Sequence, residues 1–456
     1  MNAKPLVMII SMNKPIQIIL IFLVTFFSWD ANGQIPTPGD STAKKYLILG
    51  GVAHVGNGEV IQNSAIAVEN GILRFVKNQL IYRIDQSEYD TVIHLNGHHV
   101  YPGFIACNTT LGLNEIEAVR ATRDFDDVGD YNPNVRSIVA YNTDSRIIPT
   151  VRSNGVLLGQ ITPRGGIISG SSSIMQFDAW NWEDATVRED DGIHLNWPPR
   201  FVKTGWWANP GETKENKKAD EKVQEIYRFF EAAKAYASTP KPSNINLRFE
   251  AMKGLFEGTK TLYVHCNYAR EIIKAIDLKR AFDIDNVVIV GGYDAYLVPE
   301  VLKDNNVAVI LHNLHALPLR ADDPIDLPYQ MAGKLKALGI EVTVSMTGDM
   351  EAMNTRNLPF TAGTAVTYGM EYEEAVKLIS LDAAKIIGID ETYGSLEAGK
   401  SATFFISKGD ALDMKTNEIY FAMIDGRVIK LTNPQKELYK KYQRKYGVVK
   451  AENAPK

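Results

Sequence analysis

The stretch YPGFIACNTTLGL, residues 101–113, decides how this chain is read. Pro102 and Gly103 introduce a short apolar run that ends in the small polar residues Asn108, Thr109 and Thr110. Turn residues followed by such a run signal a buried strand. That strand carries Ala106, Cys107, Asn108, Thr109 and Thr110 to a rim, where their chemistry becomes available.

Outward from this strand the rhythm changes twice. Upstream, YLILGGVAHV, SAIAVENGILRFV and DTVIHLNGHHV alternate apolar and polar residues between Gly and Asn, a strand-and-turn pattern. Downstream of residue 260, TLYVHCN, NVVIVGG, NVAVILHN and EVTVSMTGD are continuous apolar strands, separated by the helical segments AREIIKAIDLKRAF, AYLVPEVLKDN and YQMAGKLKALG. Strands apolar on both faces that alternate with helices argue for a parallel sheet covered by helices. SATFFISKG and EIYFAMIDGRVIKL then return to short strands. This order predicts a small β domain assembled from both ends of the chain, 45–100 and 395–432, with a barrel over 101–394 inserted between them and a tail at 433–456. NPGETKENKKADEK, residues 209–222, reads as an exposed loop ahead of the amphipathic EKVQEIYRFFEAAKAYA.

With 45% hydrophobic and 23% charged residues, the 456-residue chain is globular and long enough for a large core. Lys14 precedes the apolar run Ile16 to Phe27, and Ala31-Asn32-Gly33 places small residues where a signal peptidase reads. The run falls short of the roughly 20 residues of a spanning helix. Residues 1–33 are therefore expected to be an export signal, giving a periplasmic or extracellular chain with no membrane span after its removal. No Cys follows the run to accept a lipid. Loss of Lys4, Lys14 and Asp30 takes the net charge from −5 to −6. A mildly acidic chain without a basic face gives no support for nucleic-acid binding. KELYKKYQRKYG in the tail reads as a solvated helix face. The two cysteines, Cys107 and Cys266, make no disulfide framework and read as free buried thiols.

Taken together, PGFIACNTT (102–110), GSLEAGKSATFFI (394–406), MIDGRVIKL and NTRNLPFTAGTAVTYGM with EEAVKLISLDAAKIIGI resemble the amidohydrolase superfamily, in its imidazolonepropionase-like branch. The resemblance implies an α/β fold, a (β/α)8 TIM-like barrel plus a small β-sandwich, with chemistry at the C-terminal strand ends. It also implies a divalent metal that activates water against an amide, cyclic amide or related C–N bond. The family's ligands are two His on the first strand, Lys or Glu on the fourth, His on the fifth and sixth, and Asp on the eighth. Here Asn108 and Thr110 stand at the first-strand positions, Ala106 replaces the Asp before them, and Gly291 stands at the sixth. His265 and Asp349 match the fifth and eighth, and no Lys is placed on the fourth.

Catalytic zinc takes three protein ligands plus water, and neutral Asn or Thr oxygens do not replace imidazole. Two readings follow. In the first, the chain is an exported hydrolase of carbon–nitrogen bonds other than peptide bonds, with an altered or mononuclear site. His265 and Asp349 are then ligands, Asp349 is also the base, and Asn108 and Thr110 orient substrate or water. His312 or His315 would turn inward beside them, His315 as a substrate contact, and the cofactor is one divalent ion, zinc first, or none. In the second, the barrel mouth of an inactive pseudoenzyme binds a small molecule or a partner chain. A homo-oligomer is open in both.

Alternation along strands turns Asn108 and His265 inward and Cys107 and Cys266 outward toward the helices. PRGGIISGSSS (163–173) lacks the ending of a phosphate loop and the nucleophile elbow of a serine hydrolase, and reads as tight turns near the mouth. Arg152 before it and Arg164 within it suit either a substrate carboxylate or surface ion pairs. Trp180, Trp182, Trp197, Trp206 and Trp207 suggest one aromatic cluster, as the core of an insertion or the wall of a pocket.

Overall fold

Eight strands between residues 104 and 344 hydrogen-bond in chain order into one nearly closed sheet. They are β1 (Phe104–Thr109), β2 (Val156–Ile161), β3 (Ile168–Gln176), β4 (Thr186–Asn196), β5 (Thr261–Cys266), β6 (Val287–Gly291), β7 (Ala308–Leu311) and β8 (Val342–Val344). The computed structural model describes residues 38–40, 43–206 and 209–447, so the expected export signal lies outside the described residues.

Strand directions follow from the lengths of the links. A parallel pair needs a crossover of about a dozen residues or more. Only residues 162–167 join β2 to β3, and only 177–185 join β3 to β4. Accordingly β3 runs antiparallel to both neighbours. The other hydrogen-bonded neighbours are parallel. From β5 onward the helices Ala269–Phe282, Pro299–Asp304 and Leu327–Ala337 separate the strands, as the apolar rhythm predicts. The barrel is TIM-like, and the expectation of eight strand-helix units is corrected at β3.

β8 and β1 share no ladder. The segment after helix Tyr372–Leu378 fills the gap: the Leu378 carbonyl accepts from the Thr343 hydroxyl on β8 at 2.7 Å, and the Ile379 carbonyl accepts from the Ile105 amide on β1 at 2.9 Å. The barrel wall is thereby closed by backbone that is not itself a strand.

The two chain ends meet in a second eight-stranded sheet. Phe404–Ser407 pairs antiparallel with His99–Pro102, which joins Tyr46–His54. Alternate residues pack on opposite faces, Ile48, Ile66, Val100 and Phe404 on one and Leu47, Leu49, Ala65 and Ala67 on the other. Phe405, Ala422 and Ile424 from this sheet belong to the main barrel core.

Two local expectations change. Within the polar stretch 209–222, Asn209–Glu215 is a strand paired with Phe201–Trp206 in an exposed ribbon. The tryptophans form no single cluster: Trp180 and Trp182 are exposed before β4, while Trp197 is buried after it. The eleven residues of β4 at roughly 3.3 Å each separate the two groups. The Trp206 and Trp207 side chains lie outside the described residues. The tail helix Pro434–Lys445 buries none of its residues. No helix among the described residues is long and apolar enough to cross a membrane.

Candidate active site

The C-terminal ends of β5 to β8 surround a cavity of about 400 Å³. Leu311, Leu317, Leu319 and Met331 make its wall largely apolar, and Asn267, His312 and Thr347 are its main polar points. Such a pocket suits a small molecule with an apolar body and a few polar contacts. His312 follows β7 directly, so the strand fixes its place. Its imidazole is pushed down to about 4, by burial first and by the charge of Arg164 second. It is therefore neutral at ordinary pH.

Below the mouth, polar side chains from several strands meet inside the barrel. Asp191 accepts from Gln160 (2.7 Å), Ser172 (2.7 Å) and the Tyr263 hydroxyl (2.9 Å). Gln160 on β2 and Asp191 on β4 are not sheet neighbours, so their contact crosses the interior. Burial raises the Asp191 carboxyl above its usual range, while these three donors pull it back. His194 stacks on Tyr263 with ring centres 4.7 Å apart, and its Nδ1 lies 2.9 Å from His265 Nε2. A continuous line of contacts thus runs from Asp191 through Tyr263 and His194 to His265. The His265 carbonyl accepts from the Trp197 amide at 3.0 Å.

Arg164 lies at the head of this line. Its Nη2 donates to the Asn108 carbonyl and pairs with Glu351 Oε1, both at 3.0 Å. The Arg164 and Glu351 side chains are only 22% and 12% exposed, which separates this pair from ordinary surface ion pairs. Asn196, level with His265 across the β4–β5 ladder, donates to the carbonyls of Gly165 and Gly166 and so holds the loop that presents Arg164. His265 and His194 are both held well below the usual imidazole range. Burial is the main cause for each, followed by Arg164 and His312 for His265, and by His265 and Arg164 for His194.

The sequence-derived candidates occupy different places. Asn108 is buried at φ 52°, with its Oδ1 lacking a protein partner, and the Thr110 hydroxyl is buried and unpartnered too. Asp349 stands on the exposed turn after β8, where its carbonyl accepts from the Asn354 side chain. His315 is exposed and bonds the Thr364 hydroxyl through Nε2 at 2.5 Å, while His312 enters the cavity wall. Arg152 is not a surface pair, since it is buried against Asp178. Cys107 is also corrected: it lies within electrostatic reach of Asp191 and Tyr263, inside the barrel. The β1–β2 register skips from Ala106 to Thr109, and this bulge reverses the alternation. Cys266 faces Glu271 at the start of the next helix, as strict alternation predicts.

Asp191 and His194 were missed in the sequence, although DDGIHLN sets both on a strand otherwise fit for burial. The signal was a charged and an imidazole side chain inside a barrel strand.

These residues do not fit a divalent ion. A guanidinium occupies the mouth, His265 Nε2 is engaged by His194, and Asp349 is exposed. Gly291, at φ 103°, offers no ligand, and a Cβ there would be crowded, 2.6 Å from Asn267 Oδ1 and 2.9 Å from the Cys266 carbonyl oxygen. Among the described residues, no group of three or more His, Cys, Asp or Glu side chains could hold a metal.

A mixed barrel joined to a composite sheet thus carries polar groups and a pocket at its C-terminal rim. Residues 225–432 match the amidohydrolase family model. The chain is 28% identical over 236 residues to an imidazolonepropionase of Flavobacterium psychrophilum, covering 50% of this chain and 47% of that protein. It is 20% identical over 417 residues to the amidohydrolase tasK of Hapsidospora irregularis, covering 83% of this chain and 40% of that one. In fold it is similar to an amidohydrolase from Thermotoga maritima, with a TM-score of 0.72 at 20% identity over 84% of this chain and 99% of that structure. In its family segment, its relatives and its fold, the chain is similar to the amidohydrolase superfamily. It spans less than half the length of the two curated relatives.

Proposed function

We propose that this chain is an exported hydrolase of carbon–nitrogen bonds other than peptide bonds, acting on a small molecule at the barrel mouth through a site altered from the family pattern. The carrying observation is a pocket at the C-terminal ends of β5 to β8 with a neutral imidazole, His312, in its wall and the charge of Arg164 acting on it. The amidohydrolase match over residues 225–432 supports the reaction class, and the apolar run before Ala31-Asn32-Gly33 supports export.

In this reading the apolar walls seat the body of the substrate, and Asn267 and His312 meet its polar end. The unprotonated ring of His312 accepts a proton from attacking water and returns it to the leaving nitrogen as the C–N bond breaks. Arg164 favours negative charge developing on the carbonyl oxygen. Asn108 and Thr110, each with an unpartnered buried oxygen, orient water or substrate. Asp349 and His315 act only if the loops that carry them close over the pocket.

One observation favours binding without turnover. A ring pushed down to about 4 is a weak base, whereas general bases work best near the operating pH. Incubating the mature protein with a panel of amides, lactams, hydantoins and imidazolones, with products read by mass spectrometry, separates the two. Turnover is expected, falling about a hundredfold or more in His312→Ala. Binding of panel compounds with cleavage of none of them favours the pseudoenzyme instead.

A further inference from the structure

We infer that Arg164 is the resident cation of the barrel mouth: its guanidinium, built into the chain, takes the electrostatic place of a divalent ion, so the mouth works without exchangeable metal. The inference rests on the proposed function in taking the mouth as the functional centre and Arg164 as its charge.

The geometry is that of a fixed charge. The Arg164 amide donates to the Phe125 carbonyl at 2.6 Å, and Nη2 bridges the Asn108 carbonyl and Glu351. Asn108, at the first-strand ligand position, has turned to φ 52° within the β1 bulge. What it presents to the guanidinium is a backbone oxygen, a suitable partner for an N–H donor. Glu351 is the carboxylate partner that holds Nη2 in place. Thr109 and Thr355 fix the Glu351 segment to β1 through hydroxyls 3.1 Å apart. Three imidazoles, His194, His265 and His312, lie within the field of this cation.

Like charge and occupied space both oppose a metal here. A divalent ion among these imidazoles would be repelled by Arg164, and Glu351, which could compensate, is already engaged. At Gly291 a sixth-strand side chain would be crowded by Asn267 Oδ1 and the Cys266 carbonyl oxygen. The exchange therefore involved more than lost ligands, since a permanent positive group has its own anchoring residues.

The test needs no turnover. The full chain and its Arg164→Lys and Arg164→Gln variants are incubated with excess zinc or manganese chloride and desalted, then metal per chain is measured by mass spectrometry and the thermal midpoint recorded. Wild type and Arg164→Lys are expected to retain less than about a tenth of an ion per chain, with no rise in midpoint on metal addition. Arg164→Gln is expected to melt at least about 3 °C lower, with Arg164→Lys recovering half of that or more. Close to one ion per wild-type chain, lost in His265→Ala, would overturn the inference, as would an Arg164→Gln variant as stable as wild type. Should Arg164→Gln fail to fold, Arg164→Lys decides: metal-free it supports the resident cation, and metal-loaded it contradicts it. A metal found here leaves the hydrolase reading standing, and absent turnover in the substrate panel leaves Arg164 in place.

Discussion

His312 shows how placement sets chemistry at a single residue. Burial first, and the Arg164 charge second, press its ring down to about 4, and His265 and His194 are displaced in the same direction. A group whose folded value lies below its unfolded one binds protons more readily when unfolded. The stability His312 confers is complete above about 6.5 and declines as pH falls from there through about 4, and His265 and His194 act in the same direction. Denaturant titrations at pH 7.5 and 4.5 should therefore show a loss on the order of 1–3 kcal/mol from His312, reduced in His312→Gln. The thiols offer a second check at this scale. Both are buried, and burial raises them far above the usual thiol range. Ellman's reagent should leave Cys107 and Cys266 untouched in the native protein and label both in guanidinium chloride. Labelling of either thiol in the native state would contradict the interior placement.

At the scale of the element, the barrel strands were legible where their chemistry is simple. TLYVHCN, NVVIVGG and NVAVILHN are continuous apolar runs bounded by turns, and they became β5, β6 and β7. The reversal of β3 was implicit in the six residues between β2 and β3, whose Gly-rich composition reads as turns and says nothing of strand direction. The inward turn of Cys107 was not legible. It depends on a bulge in which Asn108 takes φ 52°, and such bulges break the period-two rule. Arg164, which the sequence offers as a carboxylate contact or a surface ion pair, and His194, which it does not offer, were not legible at the mouth for another reason. Neither stands at a family ligand position, and only the barrel's curvature brings the β2–β3 loop over β4 and β5. Gly291 yields the prediction that belongs here. Its φ of 103° and the 2.6 Å approach to Asn267 Oδ1 mean that Gly291→Ala should cost about 1–3 kcal/mol, measurable as a shift in denaturant midpoint. An unchanged midpoint would show that the end of β6 relaxes freely.

For the molecule as a whole, the joining of the chain ends was readable from the order of strand-rich, strand-helix and strand-rich segments. The seam between the two sheets could not be read, because its contacts are remote in sequence. Asp178, just after β3, is buried with Arg152, bonds Arg427 at 3.2 Å and accepts from the Gly39 amide at 2.8 Å. On the other side, His54 from the composite sheet meets Glu373 at 2.7 Å and stacks on Tyr101 with ring centres 4.3 Å apart. Asp178→Ala would leave two guanidiniums without their carboxylate and should cost about 3–5 kcal/mol in chemical denaturation, since an uncompensated buried charge is expensive. A cost below about 1 kcal/mol would show that the seam does not depend on this cluster.

These scales converge on the mouth, where Arg164 and Glu351 pair beside the imidazoles of the barrel. The most direct measurement is anomalous diffraction at the zinc edge from crystals soaked in zinc. The account predicts Arg164 paired with Glu351 and no anomalous peak among His194, His265 and His312. A full-occupancy peak there, with Arg164 swung away, would contradict it.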